Sequence, residues 1–154
     1  MRFSCLAKKS SPHVRWLGLE LKTATTLTPV KNITLFLGPK ELTTIRNAVE
    51  SYTKTSFNSC LANLYHEGEQ GMGWHQDNEK ELGSNPTIAS ISFGAERRFD
   101  FRHKESREKI SVILENGSLL IMSGETQTHW QHQLPKTKKI KKPRVNLTFR
   151  TVLC

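Results

Sequence analysis

Apolar residues along this chain change their spacing once. Leu42, Ile45, Val49 and Tyr52 recur at intervals of three and four, the period of one helical face. Pro39 suits a first turn, where its missing N–H has no partner to lose. A helix is therefore predicted from Gly38-Pro39 onward. Beyond it the pattern shortens to the runs 60–65, 87–93, 98–102, 110–114, 118–122 and 144–150, bounded by Gly, Asn, Pro or charged turn residues. Each reads as a strand. No helical period long enough for a crossover separates them, which argues against a Rossmann-type sheet. An antiparallel sandwich or jelly roll is the closure that fits such a series. Residues 1–32 have mixed polarity, with Pro12, Trp16 and a threonine-rich stretch at 23–28, and no element is assigned there.

Alternation within the strands separates two kinds of surface. In the last run, Val145, Leu147 and Phe149 fall on one face, and Arg144, Asn146, Thr148 and Arg150 on the other. An isolated strand of this kind would turn its polar face to water. Asn63 with Tyr65, and His75 with Asp77, repeat the same i, i+2 arrangement, and together these positions point to a polar pocket inside a barrel. His75-Gln76-Asp77 is followed by His129-Trp130-Gln131-His132, which offers two imidazoles for one further position. Two imidazoles and a carboxylate form the facial triad of non-haem Fe(II), with open positions left over. The same donors suit catalytic zinc. Iron is favoured because no HExxH-like arrangement supplies a general base, and because Arg144 and Arg150 follow His132 by 12 and 18 residues. A guanidinium grips a carboxylate in bidentate fashion, so this pair suits a dicarboxylate co-substrate. On these residues the chain looks like a 2-oxoglutarate-dependent oxygenase.

Composition adds a partner. The chain has 154 residues and a net charge of +9, with a pI near 9.7. It is read as a single domain, 1–154, whose basic surface favours a polyanion such as nucleic acid. The three cysteines are scattered and form no CxxC pair, which fits a reducing compartment. No apolar run is long enough for a membrane span, and residues 1–11 are too polar for a secretion signal. An intracellular monomer with no membrane partner is expected.

The motifs Asn63-Leu64-Tyr65, His75-Gln76-Asp77, Phe93-Gly94-Ala95, His129-Trp130-Gln131-His132-Gln133-Leu134-Pro135 and Pro143-Arg144-Val145-Asn146-Leu147-Thr148-Phe149-Arg150 resemble the AlkB family of oxidative nucleic-acid demethylases, most closely its DNA-repair members. The likeness runs over a core of about 57–152. It implies a mainly β fold with one or two N-terminal helices, the double-stranded β-helix or jelly roll. It also implies Fe(II) held by His75, Asp77 and His132, with His129 a neighbour. Asn63, Tyr65, Arg144, Asn146, Thr148 and Arg150 would surround 2-oxoglutarate, and no protein group beyond the metal centre would be catalytic. Glu79 falls where the family places an acid beside the target base. Arg102, Lys104 and Arg107 lie in the segment that meets the nucleic-acid backbone, and Trp74 is a candidate support for the pocket.

The implied activity is repair of alkylated DNA by oxidative demethylation of 1-methyladenine and 3-methylcytosine, releasing formaldehyde, succinate and CO2. Its place would be the cytoplasm of a bacterium or the nucleus of a eukaryote. RNA or protein oxidation, and a weakly active nucleic-acid-binding module, are the alternatives. The front segment, 1–39, is short and divergent, without the tyrosine-bearing lid the resemblance implies. The run Lys136 to Lys142 joins the segment bearing His132 to the strand bearing both arginines. Lys138 and Lys139 within it are expected to contact phosphate.

Overall fold

The computed structural model describes residues 14–18 and 39–153. In chain order its elements are β1 (Val14–Gly18), α1 (Pro39–Thr53), β2 (Ser59–Tyr65), β3 (Met72–His75), β4 (Ile88–Gly94), β5 (Arg97–His103), β6 (Lys109–Leu114), β7 (Ser118–Met122), α2 (Thr126–His129), β8 (Trp130–Leu134) and β9 (Arg144–Arg150). A single 3-10 turn, Lys80–Leu82, sits between β3 and β4. The strands form two antiparallel sheets, ordered β1-β7-β4-β9-β2 and β3-β8-β5-β6. This is the jelly roll expected from the strand series. No helix among the described residues is long and apolar enough to cross a membrane.

The inner strands of the five-stranded sheet, β7, β4 and β9, are buried on both faces, and each face has its own core. Ala89 and Ile91 of β4, Leu119 and Ile121 of β7, and Val145, Leu147 and Phe149 of β9 pack against Ile45 and Val49 of α1. The three-and-four spacing of the helix thus meets the period-two spacing of the strands. On the opposite face, Ile88, Leu120 and Met122 pack across to Phe101, Leu114 and Trp130 of the four-stranded sheet. Between these apolar layers β4 and β9 turn polar residues inward, in register: Ser90 opposite Thr148, Ser92 opposite Asn146, Gly94 opposite Arg144. On the other side of β9, Asn63 and Tyr65 of β2 stand opposite Asn146 and Arg144. The interior is therefore apolar towards β6 and β7 and polar along β9.

Three strands depart from the sequence expectation. β1 pairs with β7 over Val14 to Gly18, where no element was assigned. The rest of the front segment, with the question of its lid, lies outside the described residues. β3 and β8 went unrecognised as strands because β3 is four residues long and irregular. Between Met72 and His75 its pairing with β8 shifts register: three steps on β3 answer two on β8, from Leu134 to His132. That extra residue is a β-bulge, a device that re-aims a side chain. It sets His75 directly opposite His132.

One buried cation fixes the far end of the sheets. Arg97 is buried, and its guanidinium donates to the carbonyl oxygens of Glu67 (3.4 Å), Gly68 (3.1 Å), Gln70 (2.8 Å) and Pro135 (2.9 Å). It thereby joins the β2–β3 loop to the start of the β8–β9 loop. Gly94 permits the same join from β4, since its φ of +86° and its close approach to the Pro143 carbonyl both exclude a Cβ. Replacing Arg97 by Met should leave these carbonyls unpaired and lower the free energy of unfolding by about 3 kcal/mol or more. Urea denaturation measures this, and a loss below about 1 kcal/mol would show that the carbonyls find other partners.

Candidate metal centre

Three side chains converge between the sheets. His75 ends β3, His132 lies in the middle of β8, and Asp77 follows β3 by two residues in irregular backbone. The imidazole rings meet edge to face with centroids 4.3 Å apart. Asp77 Oδ1 is 4.0 Å from His75 Nε2, and Oδ2 is 3.9 Å from His132 Nε2. One ligand atom from each residue lies within 4.8 Å of the other two. A cation with bonds of about 2.1 Å bridges atoms up to about 4 Å apart, so the measured Asp77–His gaps suit one.

The protonation pattern suits a cation as well. His75 Nδ1 lies 2.8 Å from the Gly73 carbonyl, to which it can only donate, and this leaves Nε2 as the ring atom turned towards Asp77. His132 is 3% exposed. Burial, helped by the neighbouring His75 and Arg150, pushes its pKa down to about 3, and the ring is neutral at physiological pH. Phe99 stacks on that ring at 5.4 Å and Phe101 meets its edge at 6.2 Å, which fixes its plane. Asp77 is 6% exposed. Burial raises its pKa above the usual carboxylate range, against the lowering pull of Arg150 and His75. Arg150 Nη2 approaches Asp77 Oδ1 to 3.4 Å.

Along β9 runs a wall of polar groups. Arg144, 2% exposed, donates to Ser92 Oγ at 3.0 Å and lies 5.4 Å from the centre of the Tyr65 ring. Burial lowers its pKa to about 10, which leaves it charged at neutral pH. Asn146 Nδ2 donates to Ser90 Oγ and to the Ile91 carbonyl, and Thr148 donates to Asn146 Oδ1. The Nε atoms of Arg144 and Arg150 are buried without a hydrogen-bond partner among the described residues. Two guanidinium groups with unspent donors on one polar wall suit a ligand carrying two carboxylates. Ser90, Ser92 and Phe99 went unnoticed in the sequence, since two serines and a phenylalanine within strands carry no signal until register places them.

The remaining site residues divide by position. Glu79 lines a cavity of about 330 Å³ together with Ser59, Leu61 and Arg150, at the same end as Asp77. His129, the rival imidazole, lies at the end of α2, 3.8 Å from Glu125 and stacked on His103; it stands apart from the cluster. Arg102 pairs in register with Gln131 while Phe101 pairs with His132, so Arg102 faces away from His75, Asp77 and His132. It stacks on Trp74 at 4.4 Å and donates to Gln131 Oε1 at 2.7 Å. Trp74 thus supports Arg102 on the outer face and not the pocket, because it neighbours His75 on a strand and alternation turns it outward.

Lys104 lies just beyond β5 and Arg107 in the β5–β6 turn. Lys104 Nζ donates to the Thr128 carbonyl at 2.8 Å, and this end of the sheets is the one that carries Asp77. Lys138 and Lys139 are exposed in the β8–β9 loop, beside Arg144. Six residue steps, roughly 20 Å, separate that end of β9 from Arg150. In the same loop Lys141 is held by Glu67 (3.4 Å) and Glu69 (3.1 Å).

Comparison with known proteins agrees with this geometry. The family model for the 2OG-Fe(II) oxygenase superfamily matches residues 4–150. Alpha-ketoglutarate-dependent dioxygenase alkB homolog 3 of Homo sapiens is 46% identical over 120 residues, covering 72% of this chain and 42% of that protein. DNA oxidative demethylase ALKBH2 of Homo sapiens is 47% identical over 131 residues, covering 77% of this chain and 50% of that protein. The chain thus spans half or less of the length of these relatives. A solved structure of OsALKBH1 shares the fold, with a TM-score of 0.52 at 22% identity, over 80% of this chain and 66% of that one. The chain belongs to the 2OG-Fe(II) oxygenase superfamily, and within it to the AlkB family.

Proposed function

We propose that this protein demethylates N-alkylated bases in DNA, 1-methyladenine and 3-methylcytosine above all, using Fe(II), O2 and 2-oxoglutarate and releasing formaldehyde, succinate and CO2. The observation that carries the reading is the His75–Asp77–His132 cluster, with Asp77 and His132 buried and His75 partly so, beside two arginines with unspent donors. The names of the relatives, a DNA oxidative demethylase among them, support the substrate class.

Each group has a role that its surroundings allow. His75 and His132 would present Nε2 lone pairs and Asp77 its carboxylate to Fe(II), which with 2-oxoglutarate and O2 supplies an oxidant able to take hydrogen from an N-methyl group. Arg144 would hold the distal carboxylate of the keto acid, its guanidinium aimed by Ser92 and Tyr65. Arg150 would balance charge at the metal end, where it already meets Asp77. Asn63, Tyr65, Asn146 and Thr148 complete the wall. Glu79 would favour a cationic methylated base in the adjoining cavity, and such a base leaves its stack at least cost when damage has weakened its pairing. Lys104 and Arg107 stand at that same end and would take phosphates flanking the target. Lys138 and Lys139, at the other end of β9, would meet the nucleic-acid backbone several nucleotides away.

Mass spectrometry of methylated oligonucleotides incubated with protein, Fe(II), ascorbate and 2-oxoglutarate tests the proposal. Loss of the methyl group should require 2-oxoglutarate and should be greater on DNA than on RNA. His75→Ala, Asp77→Ala and His132→Ala should each abolish it in folded protein, whereas His129→Ala should retain turnover. Arg144→Lys keeps the charge but loses the planar fork, and should raise the KM for 2-oxoglutarate about 10-fold. Demethylation that proceeds without 2-oxoglutarate would overturn the oxygenase reading, and faster turnover of methylated RNA would move the substrate class.

A second expectation concerns the lysine loop. Each phosphate contact contributes roughly −0.9 to the log–log salt slope on duplex DNA and about −0.7 on single strands. Replacing Lys138 and Lys139 by Ala should therefore flatten the slope by up to about 1.8 on duplex, without changing uncoupled 2-oxoglutarate decarboxylation. An unchanged slope would assign both lysines to solvent.

A further inference from the structure

We infer that Gln127 is the residue that positions Asp77 for metal binding, an inference that rests on the reading of His75, Asp77 and His132 as metal ligands. Asp77 lies beyond the end of β3 in irregular backbone, so no ladder hydrogen bond sets its place. What holds it is a side chain from another part of the molecule. The Asp77 N–H donates to Gln127 Oε1 at 2.9 Å. The preceding residue joins the same anchor, with Gln76 Nε2 donating to the Gln127 carbonyl at 3.1 Å.

The anchor is itself fixed. Gln127 is 2% exposed, and its Nε2 contacts Met122 Sδ of β7 at 3.6 Å. With the sulfur on one side and the Asp77 N–H on the other, the amide has one sensible orientation: oxygen towards the backbone donor. Gln127 belongs to α2, which runs directly into β8 and hence into His132. One buried amide therefore ties the loop carrying the carboxylate to the segment carrying the second imidazole. Metal sites lose affinity when a ligand drifts by about half an ångström, and outer partners of ligands contribute typically 10- to 100-fold to binding. Here the partner binds the backbone of the ligand residue, and it fixes where the carboxylate starts instead of how it is turned. A purely structural role for this bond would lower stability but leave the metal affinity of the folded protein unchanged.

Mn(II), a redox-inert probe, separates the two roles by calorimetric titration of the whole chain. Gln127→Met keeps length and volume but removes the acceptor, and Gln127→Glu returns an oxygen at the same reach. Folded Gln127→Met should bind Mn(II) about 10- to 100-fold more weakly than the parent, and Gln127→Glu should recover most of the loss. If Gln127→Met does not fold, Gln127→Asn, whose amide stops one methylene short, carries the same expectation. Binding by the folded variant within twofold of the parent, while Asp77→Ala loses it, overturns the role of Gln127 and leaves the metal reading intact. Failure of the folded parent chain to bind Mn(II) overturns the metal reading and this inference with it.

Discussion

A buried carboxylate beside two imidazoles, one of them too deeply buried to be charged at neutral pH, is the constraint around which this structure is organised. Asp77 has little contact with water, and His132, with a pKa pushed down to about 3, supplies no positive charge at neutral pH. Arg150 reaches Asp77 through one long contact of 3.4 Å at its edge. Burying an ionised carboxylate with so little compensation is costly, and the arrangement becomes favourable when a divalent cation enters it. Much of the local irregularity serves the placing of these three groups. The bulge in β3 turns His75 to face His132, Phe99 and Phe101 fix the second ring, and Gln127 holds the backbone of Asp77.

The same economy governs β9. Its apolar face completes the core beneath α1, and its polar face makes the wall on which two arginines, an asparagine and a threonine stand. Such a wall can be buried because its neighbours answer it: Ser90 takes Asn146, Ser92 takes Arg144. A buried polar network is stable when its members are satisfied and expensive when they are not. The unsatisfied atoms that remain, the Nε groups of both arginines, are those a dicarboxylate would engage. Arg97, 6.0 Å from the centre of the Tyr65 ring, spends its guanidinium on the frame by closing the loops beside Arg144.

Much of this was legible in the sequence because it is periodic or ordered. The three-and-four spacing from Leu42 to Tyr52 marked α1, and alternation from Arg144 to Arg150 divided β9 correctly between core and pocket. What escaped were features that exist only through pairing. β3 is too short and too irregular to show a period, and a bulge is invisible until its partner strand is known. Ser90, Ser92 and Gln127 are unremarkable in composition and acquire a role from residues 50 or more positions away. Trp74 neighbours His75 in sequence and so suggests pocket support, but strand alternation carries it to the opposite face, where it meets Arg102. Which of His129 and His132 stands with His75 and Asp77, open on spacing alone, follows from one turn of helix that ends at His129 before β8 begins.

The most direct test of this account is the effect of a divalent cation on the stability of two proteins, the parent chain and Asp77→Asn. Asparagine keeps the shape of the side chain and removes its charge. If Asp77 is held in wait for a metal, metal-free Asp77→Asn should be at least as stable as the metal-free parent. Anaerobic Fe(II) or Mn(II) at 100 times its dissociation constant should then stabilise the parent by about 2.7 kcal/mol and leave Asp77→Asn unchanged. A parent chain indifferent to either cation, with Asp77→Asn less stable by more than about 1 kcal/mol, would show that Asp77 is a partner of Arg150 in a structural ion pair and no metal ligand.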